Sequence, residues 1–365
     1  MIRKFLKLFL LLAVLFLFHP ARAGADTTVM LYMCGSNLET LNASATMDLL
    51  EIQSSGFYPD EMHIIALLGG SRSWASGYES DRLHLVEIRP KTFHVLETPD
   101  LMSMGDPETL SYLLEYAPEH FPADRYALIL WDHGGGPMDG LCWDENFSMD
   151  VLTLSELTSS LEHSMFASQP LEWIGFDACL MASAEVALQL SPYAGYMIAS
   201  EENEPDTGWN YMFLHDLGTD ANGLQTGQRI VRTYVDTPAD EPRALSVLSL
   251  RDMPQLMQAF DGFFAQLKDT LDRDSYSAIA LLRRSMRSYG PDVSRKMADH
   301  DLVDLLALTR DLTSAFPDRF SALAHALEKT VVFQDSTDAD CAGLSVYFPY
   351  YNREQYTETW KKAAR

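Results

Sequence analysis

From Tyr126 to Gln228 the chain contains no Lys and no Arg, although sixteen Asp or Glu residues fall in the same stretch. The whole sequence is acidic as well, with 27 basic against 52 acidic side chains and a formal net charge of −25. Phosphate binding needs clustered cations, so nucleic acid is excluded as an expected partner. Cysteine is scarce: Cys34, Cys142, Cys179 and Cys341 are spread over 365 residues. That is too few, in too long a chain, for the disulfide framework of a small secreted domain. One bridge, such as Cys34 to Cys341, stays open. No two cysteines stand at zinc-ligand spacing with histidines. Internal repeats, low-complexity stretches and long linkers are missing too, which favours one compact unit.

Long hydrophobic runs are also missing, except near the start. There Arg3, Lys4 and Lys7 precede an apolar stretch from Leu8 to Phe18, and Ala21-Arg-Ala23 follows. This order predicts a secretory signal peptide over residues 1–23, cut after Ala23. The stretch falls short of the roughly 20 apolar residues that spanning a bilayer requires; a retained anchor is the alternative. Removal of residues 1–23 takes away four basic residues (Arg3, Lys4, Lys7, Arg22) and no acidic ones, moving the formal charge from −25 to −29. The expected product is secreted or periplasmic, with no membrane contact after signal removal. About 340 residues remain, and a composition 47% apolar can bury a sizeable core.

What is present is an alternation of strands and helices. Thr27 to Met33 and Glu61 to Leu68 read as buried strands, with a helix predicted between them from about Leu38 to Gln53. Residues 82–98 alternate apolar and polar around Arg89-Pro-Lys91, the pattern of an antiparallel hairpin. A helix over Pro107 to Tyr116 leads to the run Tyr126-Ala-Leu-Ile-Leu-Trp131, and Thr153 is placed to cap a helix over Ser155 to Glu162. Further strands are expected at Trp173 to Phe176, Tyr196 to Ser200, Leu245 to Leu250, and near Val331 and Gly343 to Phe348. Alternation of this kind argues for an α/β fold, a mainly parallel sheet covered on both faces. The expected division is a core over 24–214 and a mostly helical C-terminal part over 215–365 that returns strands to the sheet.

Two of these apolar runs stop at reactive side chains. The first reaches Asp132-His133 and three glycines; the second reaches Asp177-Ala-Cys179. If the two strands are parallel neighbours, their carboxyl ends share the rim where open α/β sheets carry their chemistry. Leu180 to Leu190 reads as an amphipathic helix, so Cys179 is expected at a helix N-terminus, where the dipole favours the thiolate. Taken alone, Cys179 reads first as a small core residue, and His133 first as a satisfied histidine in a glycine turn. Together they form the complementary halves of one mechanism, a thiol nucleophile and an imidazole that exchanges its proton. The N–H groups of Gly134 and Cys179 are the candidates for an oxyanion hole.

Here Leu128-Ile-Leu-Trp-Asp-His-Gly-Gly-Gly136 and Phe176-Asp-Ala-Cys-Leu-Met181 resemble the histidine and cysteine boxes of the clostripain family. Gly140-Leu-Cys-Trp-Asp144, Leu152-Thr-Leu-Ser-Glu-Leu157, Ala199-Ser-Glu-Glu202, Gly208-Trp-Asn-Tyr211 and Gly343-Leu-Ser-Val-Tyr-Phe-Pro349 are similar to other segments of that family, in order along most of the chain. The resemblance implies a caspase-like three-layer α/β/α sandwich, shared with caspases, legumains and gingipains. It implies a cysteine endopeptidase with a Cys–His dyad, His133 as general acid/base and Cys179 as nucleophile, cutting peptides and proteins after Arg or Lys. A secreted binding protein that has kept the fold without activity is the alternative. A serine esterase, suggested by His-Gly-Gly-Gly, is set aside because Gly-x-Ser-x-Gly is absent.

Cleavage after a cation requires an anion in the primary pocket. Asp177, two residues before Cys179 and so on the same sheet face, is the leading candidate; capping of the following helix is its alternative role. Asp206 and Glu202 are secondary candidates, and Ser200 is expected to supply backbone contacts. By the resemblance a small residue is expected at position 206, so the Asp206 carboxylate is a departure. The cation-free stretch adds a negative field around both boxes. Gly134 to Ala178 contains no Lys or Arg, so self-cleavage after a basic residue between the boxes is not expected. Calcium dependence is implied for clostripain itself; no EF-hand loop is present here, and no cofactor is assigned.

Overall fold

The computed structural model describes residues 25–217, 221–238, 240–268, 272–290, 300–315 and 321–350. The signal peptide expected over 1–23 lies outside the described residues. Among these residues thirteen strands occur: β1 Thr27–Cys34, β2 Met62–Gly69, β3 His84–Arg89, β4 Thr92–Glu97, β5 Arg125–Trp131, β6 Leu141–Asp144, β7 Asp150–Leu152, β8 Leu171–Asp177, β9 Ala194–Ala199, β10 Ala244–Ser249, β11 Leu302–Asp304, β12 Val331–Ser336 and β13 Ser345–Tyr347. Nine of them form one sheet in the order β12-β10-β9-β8-β5-β1-β2-β3-β4. The five central strands β9, β8, β5, β1 and β2 pair in parallel, and only β3 and β10 run against the rest.

Strands buried on both faces need apolar residues at every position rather than at alternate ones, and β1 shows why. Met30, Tyr32 and Cys34 enter the core on one side, while Val29, Leu31 and Met33 enter the core on the other. The first side is covered by the helices Pro107–His120, Leu154–Glu162, Ala184–Leu190 and Met253–Lys268, through Leu110, Leu157, Val186 and Leu256 among others. The second is covered by Ser44–Ser54 and Gly223–Asp236, through Leu49, Ile52, Ile230 and Tyr234. Each such side chain contributes about 1.5–3 kcal/mol by leaving water. The result is the expected three-layer α/β/α sandwich with a mainly parallel sheet.

Two helical expectations are revised. The single helix from Leu38 to Gln53 is two, Ser36–Asn42 and Ser44–Ser54, because Ala43 adopts φ 58° and breaks the run. The helix expected to follow Cys179 begins only at Ala184, capped by the Ser183 hydroxyl, which accepts from the Val186 N–H. Residues 180–183 are held otherwise: Leu180 N–H donates to Glu202 O, Ala182 N–H to Ser200 O, and Ser345 N–H to Ala182 O. Those three long-range bonds replace the first helical turn. The cysteines are all free thiols, so no bridge joins Cys34 and Cys341. No helix among the described residues is long and apolar enough to cross a membrane.

Candidate active site

The two reactive runs lie on neighbouring strands. β5 and β8 pair in parallel with Trp131 opposite Asp177, and Asp132 N–H continues the ladder onto Asp177 O at 3.3 Å. Their carboxyl ends therefore share one rim. There His133, Asp177, Cys179, Glu204 and Asp206 line a single hollow of about 160 Å³. Gly134 permits the approach of the two loops: a Cβ at this position would stand 2.2 Å from Cys179 O and 3.1 Å from Cys179 N. Any side chain would push the loops apart.

Two neighbours hold the imidazole. Its Nε2 lies 2.8 Å from Asn37 Oδ1, and its ring tilts against Trp143 at 5.4 Å between centroids. Below it, the buried Asp132 carboxylate ties three segments together, accepting from Ser36 Oγ at 2.5 Å and from Trp143 N–H at 2.5 Å and also from the Cys34 thiol. Burial pushes the Asp132 carboxyl up to about 7, against the pull of these donors. Asn37 was not among the residues expected from sequence. It follows the carboxyl end of β1, next to β5, so the rim rule applied to a third strand finds it.

The sulfur of Cys179 is held by the main chain of Glu204, whose N–H donates to it at 3.2 Å and whose carbonyl accepts the thiol at 3.7 Å. Burial and the carboxylates of Glu204 and Glu202 push the thiol up to about 12. The expected thiolate at a helix N-terminus is therefore corrected on both counts. The helix starts five residues later and has only seven residues, so its dipole does not reach the sulfur.

Asp177 is buried on the face of Trp209 and Tyr211, accepting from Trp209 N–H at 3.0 Å and from Tyr211 OH at 2.9 Å. Gly208, at φ +58°, leaves space in front of it, since a Cβ there would fall 2.9 Å from Asp177 Oδ1. Burial pushes this carboxyl up to about 7. Asp206 is exposed at the mouth and borders both this hollow and a neighbouring one of about 370 Å³, whose wall carries Asp48, Glu51 and Arg243. Glu202 and Ser200 lie outside the pocket lining. Glu202 pairs with Arg287 at 2.6 Å and accepts from Gly290 N–H at 3.2 Å, while Ser200 Oγ donates to Glu202 O at 2.9 Å. Both shape the loop that follows β9. Among the described residues no group of three or more His, Cys, Asp or Glu stands where it could hold a metal ion.

Comparison with known proteins agrees with this architecture. A family model described as Clostripain family, peptidase C11, matches residues 31–349. Clostripain from Hathewaya histolytica is 29% identical over 197 residues, a match that covers 46% of this chain and only 36% of that protein. The fold is similar to that of an inactive zymogen C11 protease from Parabacteroides distasonis, with a TM-score of 0.73 and 20% identity over 93% of this chain and 96% of that one. It is likewise similar to a secreted C11 cysteine protease from Bacteroides thetaiotaomicron in complex with an irreversible peptide inhibitor, with a TM-score of 0.69 and 18% identity over 93% and 99% of the two chains.

Proposed function

The chain belongs to the clostripain family, and we propose that it is an exported cysteine endopeptidase in which Cys179 and His133 cut peptide bonds after Arg or Lys. The carrying observation is the shared hollow: imidazole, thiol and a buried carboxylate line one 160 Å³ pocket at the rim of adjacent parallel strands. Export is supported by the N-terminal basic and apolar segment.

The reaction starts from a neutral pair, because the resting thiol stays protonated at neutral pH. As a substrate carbonyl carbon meets Sγ, the S–H proton passes to the His133 ring while the S–C bond forms and the carbonyl π pair moves to oxygen. The N–H groups of Gly134 and Cys179 are the proposed oxyanion hole for that oxygen. His133 then gives the proton to the leaving amine, the C–N bond breaks, and a thioester remains. Water, deprotonated by His133, hydrolyses it and restores the thiol. The Nε2–H donated to Asn37 Oδ1 leaves Nδ1 with the lone pair that accepts the thiol proton.

The specificity reading rests on Asp177, whose carboxylate is fixed by two donors and fronted by the space at Gly208. Such a carboxylate pairs with a guanidinium or ammonium more strongly than it would in water. An arginyl acyloxymethyl ketone is expected to modify Cys179 in the purified, reduced protein, and the Cys179→Ala variant should remain unmodified. Absence of labelling in the wild type would end the peptidase reading. Asp177→Asn should lower kcat/KM for P1-Arg peptides far more than for P1-neutral peptides; equal losses on both would remove Asp177 from the pocket.

A further inference from the structure

Resting on the proposed cleavage after basic residues, we infer that Glu204 is a second specificity-determining carboxylate. With Asp177 it holds one proton in the empty pocket and exchanges that proton for the cationic P1 side chain. Glu204 lines the hollow together with His133, Cys179 and Asp177, and its main chain grips the sulfur on both sides. Its side chain turns inward. Both carboxylate oxygens are out of contact with water, and neither receives a hydrogen bond of good geometry. They face the Trp209 indole N–H and the Asp177 carboxyl, whose other sides are occupied by the main-chain Trp209 N–H and Tyr211 OH.

Two carboxylates in contact away from water cannot both stay ionised, so one proton is shared between them. The surroundings make this stronger. Asp48 and Glu51 face the pair from the helix Ser44–Ser54, Glu202 and Cys179 lie on the sulfur side, and Tyr211 and Tyr234 add hydroxyls. The facing cation is Arg243. Its guanidinium is already engaged, donating to Tyr234 O at 3.1 Å and Thr207 Oγ1 at 2.8 Å and lying over the Tyr234 ring at 4.7 Å. Burial and the neighbouring negative charge raise both carboxyls, Glu204 well above the ordinary range. A guanidinium or ammonium entering the hollow supplies the charge that the proton now supplies. The proton leaves to solvent, and the pocket keeps the same net charge with or without substrate.

The consequence is a selectivity that depends on pH. As the solution becomes more acidic, the cation competes with a more available proton, and discrimination against a neutral isostere falls. The test compares kcat/KM for two peptides identical except for Arg or citrulline at P1, between pH 5.5 and 8.5, in the whole exported protein. Their ratio cancels the titration of the dyad. In the wild type it should rise about tenfold or more with pH; in Glu204→Gln it should be about tenfold lower at pH 8, with the remaining rise displaced to lower pH. A variant ratio that matches the wild type in size and pH dependence overturns the inference. A second measurement avoids disturbing the pair: binding of the P1-Arg peptide to Cys179→Ala, followed calorimetrically at pH 7 in two buffers of different ionisation enthalpy. Close to one more proton should be released than with the citrulline peptide; equal release overturns the shared-proton account. Cleavage of neither peptide, with no labelling by the arginyl ketone, would instead sink the peptidase reading and this inference with it.

Discussion

In the proposed mechanism Asn37 sets the tautomer of His133, because its amide oxygen stands 2.8 Å from Nε2. Replacing it with Ala frees the ring to rotate and to exchange tautomers, so kcat/KM should fall about 10- to 100-fold with little change in KM, the range for mispositioned acid/base groups. Asn37→Asp places a negative charge beside the ring, favours the imidazolium and should move the acidic limb of the pH–rate profile upward by about one unit. An unmoved limb would mean that Asn37 only supports the loop. The residue scale also carries a trade between stability and the proposed specificity at Asp177. Its carboxyl ionises near 7 in the folded chain against 3.8 for the ordinary group, so the folded state holds the proton more tightly than the unfolded state. Stability from this group is then complete below about pH 4 and is lost as pH rises towards 7. Asp177→Asn keeps its oxygen as acceptor for Trp209 N–H, turns its NH2 to the Tyr211 hydroxyl, which accepts in place of donating, and removes the penalty. In urea denaturation it should be more stable than the wild type by about 1–3 kcal/mol at pH 8, with the difference vanishing below about pH 4. A variant less stable than wild type at pH 8 would contradict this.

At the scale of elements, most strands were legible because burial on both faces writes an unbroken apolar run, and turn residues end it. Trp131 and Asp177 close β5 and β8 just before His133 and Cys179. The Thr153 cap was legible for a similar local reason, a hydroxyl three residues before Glu156, and both halves of its capping box form. What the sequence could not disclose is competition from distant partners. Leu180-Met-Ala-Ser has a helical composition, yet its N–H groups find Glu202 O and Ser200 O, and the Ala182 carbonyl finds Ser345. Glu204 was missed for the same reason, since its inward turn follows from the loop fixed by those bonds. The break at Ala43 is different, a local strain accepted to let Glu39 reach back. Glu39 Oε2 accepts from Thr46 N–H at 2.8 Å and Oε1 from Ala75 N–H at 2.7 Å. A left-handed alanine costs about 1–2 kcal/mol relative to its right-handed form, a cost glycine does not carry. Ala43→Gly is therefore expected to raise unfolding stability by about 0.5–1 kcal/mol, read as a higher urea midpoint at unchanged slope. A lower midpoint would mean that chain entropy outweighs the relieved strain.

Across the whole molecule, the late strands β10 and β12 complete the sheet beside β9, so the rim that carries Cys179 depends on residues more than sixty positions further on. A chain ending at residue 214 would expose the β9 edge and the apolar face beneath Leu248 and Leu256. It should aggregate or unfold without cooperativity, whereas the full chain should melt in one transition. Charge is the other property of the whole. The formal charge of −25 is concentrated, in the stretch Tyr126 to Gln228, around β5, β8 and β9, and a cleft among them gathers that field. Such a field acts before contact, on the approach of a cationic peptide, and salt weakens it as the Debye length falls from about 10 Å at 0.1 M to about 3 Å at 1 M. The proposed buried contact with Asp177 would be screened far less, because water and ions are excluded from it. The two effects separate in one measurement. Between 0.05 and 0.5 M salt, kcat/KM for a P1-Arg peptide should fall about three- to tenfold while that for its citrulline counterpart changes little, as expected for steering of a cation over about one Debye length. Parallel slopes for the two peptides would remove the long-range attraction and leave the selection of basic residues to the pocket alone.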